Sequence, residues 1–110
     1  MNNEINPDKA IQYIIDTAPK YAKAKGTRIR LEEFRKSKKA VLMGEAPTEV
    51  LGKQETYAYA HPEYMDLLTA IGHAVAEEEE LRWMLVAAQA RIEVFKVSEY
   101  TKRAELKAFN

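Results

Sequence analysis

Glu77-Glu78-Glu79-Glu80-Leu81-Arg82-Trp83-Met84-Leu85-Val86-Ala87-Ala88-Gln89-Ala90-Arg91-Ile92-Glu93-Val94-Phe95 is the stretch whose reading decides the fold. It holds no Gly or Pro, carries the only Trp of the chain and opens with four acids. These residue types favour helix, and acids are favoured in a first or exposed turn. Read at steps of three and four, the chain gives Ile71, Ala74, Glu78, Leu81, Leu85, Ala88, Ile92 and Phe95, apolar but for Glu78, with Leu106 further on in phase. That is a heptad-like seam flanked by charges. A second apolar line runs beside it through Met84, Ala87, Val94 and Val97. Two seams on one helix imply more than one neighbour.

Upstream, the helix is expected to begin at His61-Pro62, with Glu63 in its first turn, and to run to about residue 107. At 1.5 Å per residue such a rod is about 65–70 Å long, while a compact domain of this length has a radius of gyration of about 13 Å. The chain cannot wrap that rod, so partner subunits are expected. Before it, residues 44–61 read as a loop containing Gly44, Pro47 and Gly52, and Tyr57 and Tyr59 alternating with alanines leave helix or strand open. Asn6-Pro7-Asp8 predicts a helix start. A short helix over 7–17 should stop before Pro19, because the residue ahead of a proline is pushed out of helical geometry. A second helix should then run over 19–43, with Gly26-Thr27 as its weak point. The expected fold is all-α: a long antiparallel helical hairpin with a short N-terminal helix, assembled as a coiled-coil-like homo-oligomer.

Composition narrows the function classes. The chain has one domain's length, with 46% apolar and 31% charged residues and zero net charge. Without cysteine it can hold no disulfide, thiolate nucleophile or zinc–thiolate site. The longest apolar run, Met84 to Ala88, is far short of the roughly 20 residues that span a bilayer. The N-terminus lacks the basic and apolar regions of a signal peptide. No membrane association and a cytoplasmic location are therefore expected.

The charge is unevenly placed. Between Lys20 and Lys39 nine cations face two acids, Glu32 and Glu33, a local balance of +7 in a neutral protein. On a helical wheel Lys25, Arg28, Arg35 and Lys39 share a line, with Lys36 adjacent. Ala24, Leu31, Phe34 and Val41 lie opposite and are expected to face the long helix. A cationic helix face can track a phosphodiester backbone by displacing its counterions. It can equally be a solvated or subunit-pairing face complementing the acids of the long helix, or meet an anionic membrane surface. Glu77 to Glu80 read as an exposed acidic turn. His73 one turn earlier would suit a metal, but a bundle-core site wants Glu-x-x-His and position 70 is Ala. His61 reads as a loop residue. Tyr57, Tyr59 and Tyr64 could stack on bases or pack the hairpin base. Trp83 reads as a buried interface anchor. No nucleophile–base pair, phosphate loop or ligand cluster appears, so neither catalysis nor a cofactor is expected.

Tyr21-Ala22-Lys23-Ala24-Lys25 with Arg28 to Ala40, Ala60-His61-Pro62-Glu63-Tyr64, and Glu79 to Phe95 together resemble a widespread group of small bacteriophage proteins. The order of basic helix, loop and long helix also resembles the UvsY family of phage recombination mediators. The resemblance spans roughly residues 20–107. It implies a non-enzymatic accessory of homologous recombination that binds single-stranded DNA, contacts the single-strand-binding protein and helps load a RecA-like recombinase as a closed helical oligomer. Lys25, Arg28, Arg35, Lys38 and Lys39 would be the backbone contacts carried over, with Lys36 beside them. Where that family has a basic turn after the basic helix, this chain has Gly44-Glu45-Ala46-Pro47. The oligomer interface is expected at Leu81, Trp83, Leu85, Ala88, Ile92 and Phe95. A helical scaffold or adaptor that binds a phage or host protein without nucleic acid, or a small inhibitor of a host enzyme, are the competing expectations.

Overall fold

The computed structural model of the chain describes residues 5–109. Three helices follow one another: α1 (Pro7–Glu45), α2 (Leu51–Ala60) and α3 (Pro62–Phe109). Among the described residues there is no strand. The long helical hairpin is formed by α1 and α3. Its antiparallel sense shows in two ion pairs, Arg28 with Glu78 and Lys38 with Glu63. As α1 advances from 28 to 38, its partners on α3 recede from 78 to 63.

The start of α1 is the one expected. The Asn6 side-chain oxygen accepts from the backbone N–H groups of Asp8 (3.0 Å) and Lys9 (3.2 Å), and Pro7 spends no hydrogen bond at the first helical position. The separate helix over 7–17 is not formed. α1 runs through Pro19 and Gly26 without interruption. An interior proline costs about 3 kcal/mol, since it removes a donor and crowds the carbonyl four residues back. Packing offsets this. Ala10, Thr17 and Ala24 are buried at seven-residue intervals on both sides of the proline, with Ile14 and Tyr21 half-buried between them. Breaking the helix at Thr17 would throw that stripe out of phase.

The expected loop over 44–61 is also corrected. Only residues 46–50 and His61 stay outside the helices, because α1 runs on to Glu45 and α2 takes Leu51–Ala60. Thr48 organises the entry: its hydroxyl accepts from the Val50 N–H (3.2 Å), and its carbonyl accepts from the Gln54 side-chain amide (2.9 Å). The exit follows from Pro62, which forces His61 out of helical geometry to φ −70°, ψ 133°. His61 then caps α3, its Nδ1 accepting from the Glu63 N–H at 3.1 Å. What holds α2 in place is burial. Leu42 and Ala58 are fully buried, Tyr64 nearly so, and Met43 packs against them.

The chain divides into two compact units. One comprises residues 22–79, the later part of α1 with α2 and the first part of α3. The other joins the residues up to 21 with those from 80 onward, so the start of α1 lies along the end of α3. The inner row of α3 is Tyr64, Leu67, Ile71, Ala74 and Glu78 in the first unit, then Leu81, Leu85, Ala88, Ile92 and Phe95 in the second, all buried or half-buried. From Ile71 onward this is the seam expected from the sequence. Leu81, Leu85, Ala88, Ile92 and Phe95, expected between subunits, thus close the hairpin within one chain. Trp83 alone of that set points outward, 57% exposed. Leu106 is exposed as well.

Candidate nucleic-acid interface

The basic helix lies between two demands: it must close against α3, and its cations must stay hydrated or paired. On α1 the row facing α3 is Ala24, Arg28, Leu31, Arg35, Lys38 and Leu42, all buried or half-buried. This corrects the wheel. Phe34 and Val41, expected to face the long helix, are 53% and 55% exposed, while three cations expected outside belong to the inner row. Arginine and lysine tolerate such positions because their aliphatic stems lie along apolar surface while the charged end finds a partner or water.

Arg28 finds three carboxylate oxygens. Its Nε–H donates to Glu78 Oε2, Nη2–H to Glu78 Oε1 (3.2 Å), and Nη1–H to Glu32 Oε2 (2.9 Å). Glu78 is only 6% exposed, so this bidentate pair sits inside the seam. The Glu78 carboxylate, ahead of Glu32, holds the Arg28 proton more tightly than usual, against the partial loss of hydration. The acidic turn is therefore not uniformly exposed: Glu78 turns inward while Glu77 and Glu80 face solvent. Its partner on the basic helix lies in the same chain.

Lys38 donates to Glu63 Oε2 at 2.6 Å, and this bond holds the Glu63 carboxyl below its ordinary range. Lys39 stands 4.7 Å above the Tyr59 ring, and the Tyr59 hydroxyl raises the Lys39 pKa above its usual range. Tyr59 meets Tyr64 edge-on at 5.4 Å, and Tyr57 meets His61 edge-on at 5.8 Å. Tyr64 thus packs the hairpin base, with Tyr57 half-buried and Tyr59 half exposed.

Of the six residues expected to contact DNA, the structure sets Arg28 and Lys38 in cross-helix ion pairs, Lys39 against a ring, and Arg35 half-buried. Lys25 and Lys36 remain on the solvent side; Lys36 pairs with Glu33 at 3.2 Å, both side chains well exposed. Such a pair contributes about 0–1 kcal/mol and yields readily to a phosphate. Lys23 and Arg30, which the wheel did not single out, are exposed and pair with no described carboxylate. Lys20 is likewise exposed. The signal that finds them is the buried heptad Ala10–Thr17–Ala24: continued through Pro19, it predicts Arg28, Leu31, Arg35, Lys38 and Leu42 as the inner row and leaves Lys23, Arg30 and Lys36 outside.

Among the described residues no three His, Asp or Glu side chains gather as metal ligands. No described helix is long and apolar enough to cross a membrane. No protein-family profile, curated protein sequence or solved structure matches this chain.

Proposed function

We propose that this protein is a non-enzymatic accessory that binds single-stranded DNA along α1 and helps load a RecA-like recombinase in a phage recombination module. The observation that carries DNA binding is the set of exposed cations Lys23, Lys25, Arg30 and Lys36, for which, among the described residues, only the weak Glu33 pair competes. The step to recombinase loading and to a single-strand-binding protein as partner rests on the resemblance of the order of basic helix, loop and long helix to the UvsY family of phage mediators. These cations flank the inner row, Lys23 with Arg30 on one side and Lys25 with Lys36 on the other, and hold a backbone by charge without reading bases, so affinity varies little with sequence.

Fluorescence anisotropy with a labelled oligonucleotide tests this. Three or four phosphate contacts give a slope of log K against log salt of about −2 to −3 for a single strand. Reversing Lys23, Lys25, Arg30 and Lys36 to Glu abolishes binding and leaves helicity unchanged. The same four changed to Gln weaken binding and flatten the slope. No binding by the wild type at low salt removes the DNA reading. The second reading, a helical scaffold or adaptor for another phage or host protein, is then favoured by the large apolar side chains that α1 and α3 leave exposed.

A further inference from the structure

The second half of α3 is apolar on two opposite sides. Its inner row, Leu81, Leu85, Ala88, Ile92 and Phe95, is covered by the start of α1 in the same compact unit. Half a turn away runs an outer row, Trp83, Val86, Ala90, Val94 and Val97, at the helical steps three, four, four and three. All five are exposed, Val94 and Val97 by 55% and 64%. A helix apolar on both sides has two neighbours. α1 supplies one of them.

We propose that the second neighbour is another copy of this chain, packed antiparallel against the outer row of α3 with Ala90 on the two-fold axis. One observation selects a copy over an unrelated partner, and a second shows that there is area for it. The first is symmetry. The step pattern reads the same in both directions about Ala90. An antiparallel copy therefore sets Trp83 against Val97 and Val86 against Val94, while the small Ala90 at the centre lets the two backbones approach. A two-fold interface requires this self-complementarity, because each residue meets the other's counterpart. The second is area. The chain exposes 8483 Å². A compact monomer of 12.6 kDa exposes about 6,200 Å². The excess, about 2,300 Å², exceeds the roughly 800 Å² that each partner gives to a standard interface. This pairing does not depend on the DNA-binding reading, since none of the exposed cations of α1 takes part.

The chain has no cysteine, so one can be placed at will. Ala90→Cys should form a covalent dimer under mild oxidation, because an axial position brings the two thiols within bonding reach. Gln89→Cys, one residue and 100° around the helix, should not. Sedimentation equilibrium of the wild type at tens of micromolar should give at least twice 12.6 kDa. Emission of Trp83, the only Trp, should shift to the red on dilution as the pair separates. Val86→Glu combined with Val94→Glu should give the single-chain mass. If that double variant loses helicity, the cysteine pair decides alone. A wild type at 12.6 kDa throughout would overturn the proposal and assign the outer row to a different protein. Equal cross-linking from positions 89 and 90, or an unchanged mass in a folded double-Glu variant, would overturn it too.

Discussion

Residues 22–79 and the unit formed by the two ends of the chain use the same two helices, yet they solve the burial problem differently. In the former, α2 adds a third helix, and Leu42, Ala58 and Tyr64 form a closed cluster. Two cross-helix ion pairs, Arg28–Glu78 and Lys38–Glu63, tie the hairpin further. In the latter, two helices meet along one row, and the buried residues are mostly small: Ala10, Thr17 and Ala88. Ile15, Trp83, Met84, Val94, Val97 and Tyr100 remain at least half exposed there. Two helices share a single seam, and any further apolar row must find cover elsewhere. A third helix, even one of ten residues, changes that.

The contrast can be broken most forcefully at Leu42. Replacing this fully buried side chain by Ala should cost about 2–5 kcal/mol, the range for a large-to-small change in a closed core. Val97→Ala, on the open side of the other unit, should cost well under 1 kcal/mol in a single chain. Chemical denaturation of the two variants, compared at a concentration where the wild type is monomeric, measures the difference. Equal losses would mean that the units are equally closed.

A smaller effect is expected at the acidic turn. Glu78→Gln keeps the shape but leaves Arg28 with half of its anionic partners, and should lower the melting temperature by about 4–8 °C. Glu77→Gln and Glu80→Gln, on exposed neighbours, should move it by no more than a degree or two. Identical behaviour of all three would place Glu78 outside the seam.

The smallest effect concerns pH. Lys38 depresses the Glu63 pKa in the folded chain, so the folded state binds this proton less readily than the unfolded one. The stability it contributes is present above the ordinary glutamate range and is lost as pH falls through the depressed folded value. Glu63→Gln should therefore lower the melting temperature slightly, by the same amount at neutral and alkaline pH, and flatten the acid limb of the profile. Glu63 is more than half exposed, so solvent screening keeps the change small. A steeper acid limb in the variant would contradict the sign.

Much of α3 was legible beforehand, because its evidence is local and redundant. Ile71, Leu81, Leu85, Ile92 and Phe95 recur in one phase over seven turns, and no Gly or Pro intervenes after Gly72. The basic helix was legible as a helix but not in its orientation. Lys and Arg occupy both its inner and outer rows, so charge did not mark the outside. Phe34 and Val41 look like core residues and are exposed. The inner row through Arg28 and Lys38 works only because Glu78 and Glu63 lie opposite, and those partners are 50 and 25 residues away in the chain.

By itself, then, the amino-acid sequence determined what depends on neighbours three or four residues apart: helical periodicity, the Asn6 cap, the His61-Pro62 break and the seam of α3. Tertiary structure decided what sets a local cost against a distant gain. The proline at position 19 is a helix stop on local grounds, at about 3 kcal/mol, and is overridden because Ala10, Thr17 and Ala24 must stay in one phase against α3. The stretch from Leu51 to Ala60 has no decisive local preference and becomes helix where Ala58 packs on Leu42 and Tyr64. Which cations face solvent followed from the same packing, since a cation in the inner row is tolerated where a carboxylate has been brought to meet it, as for Arg28 and Lys38, or where its charged end still reaches water.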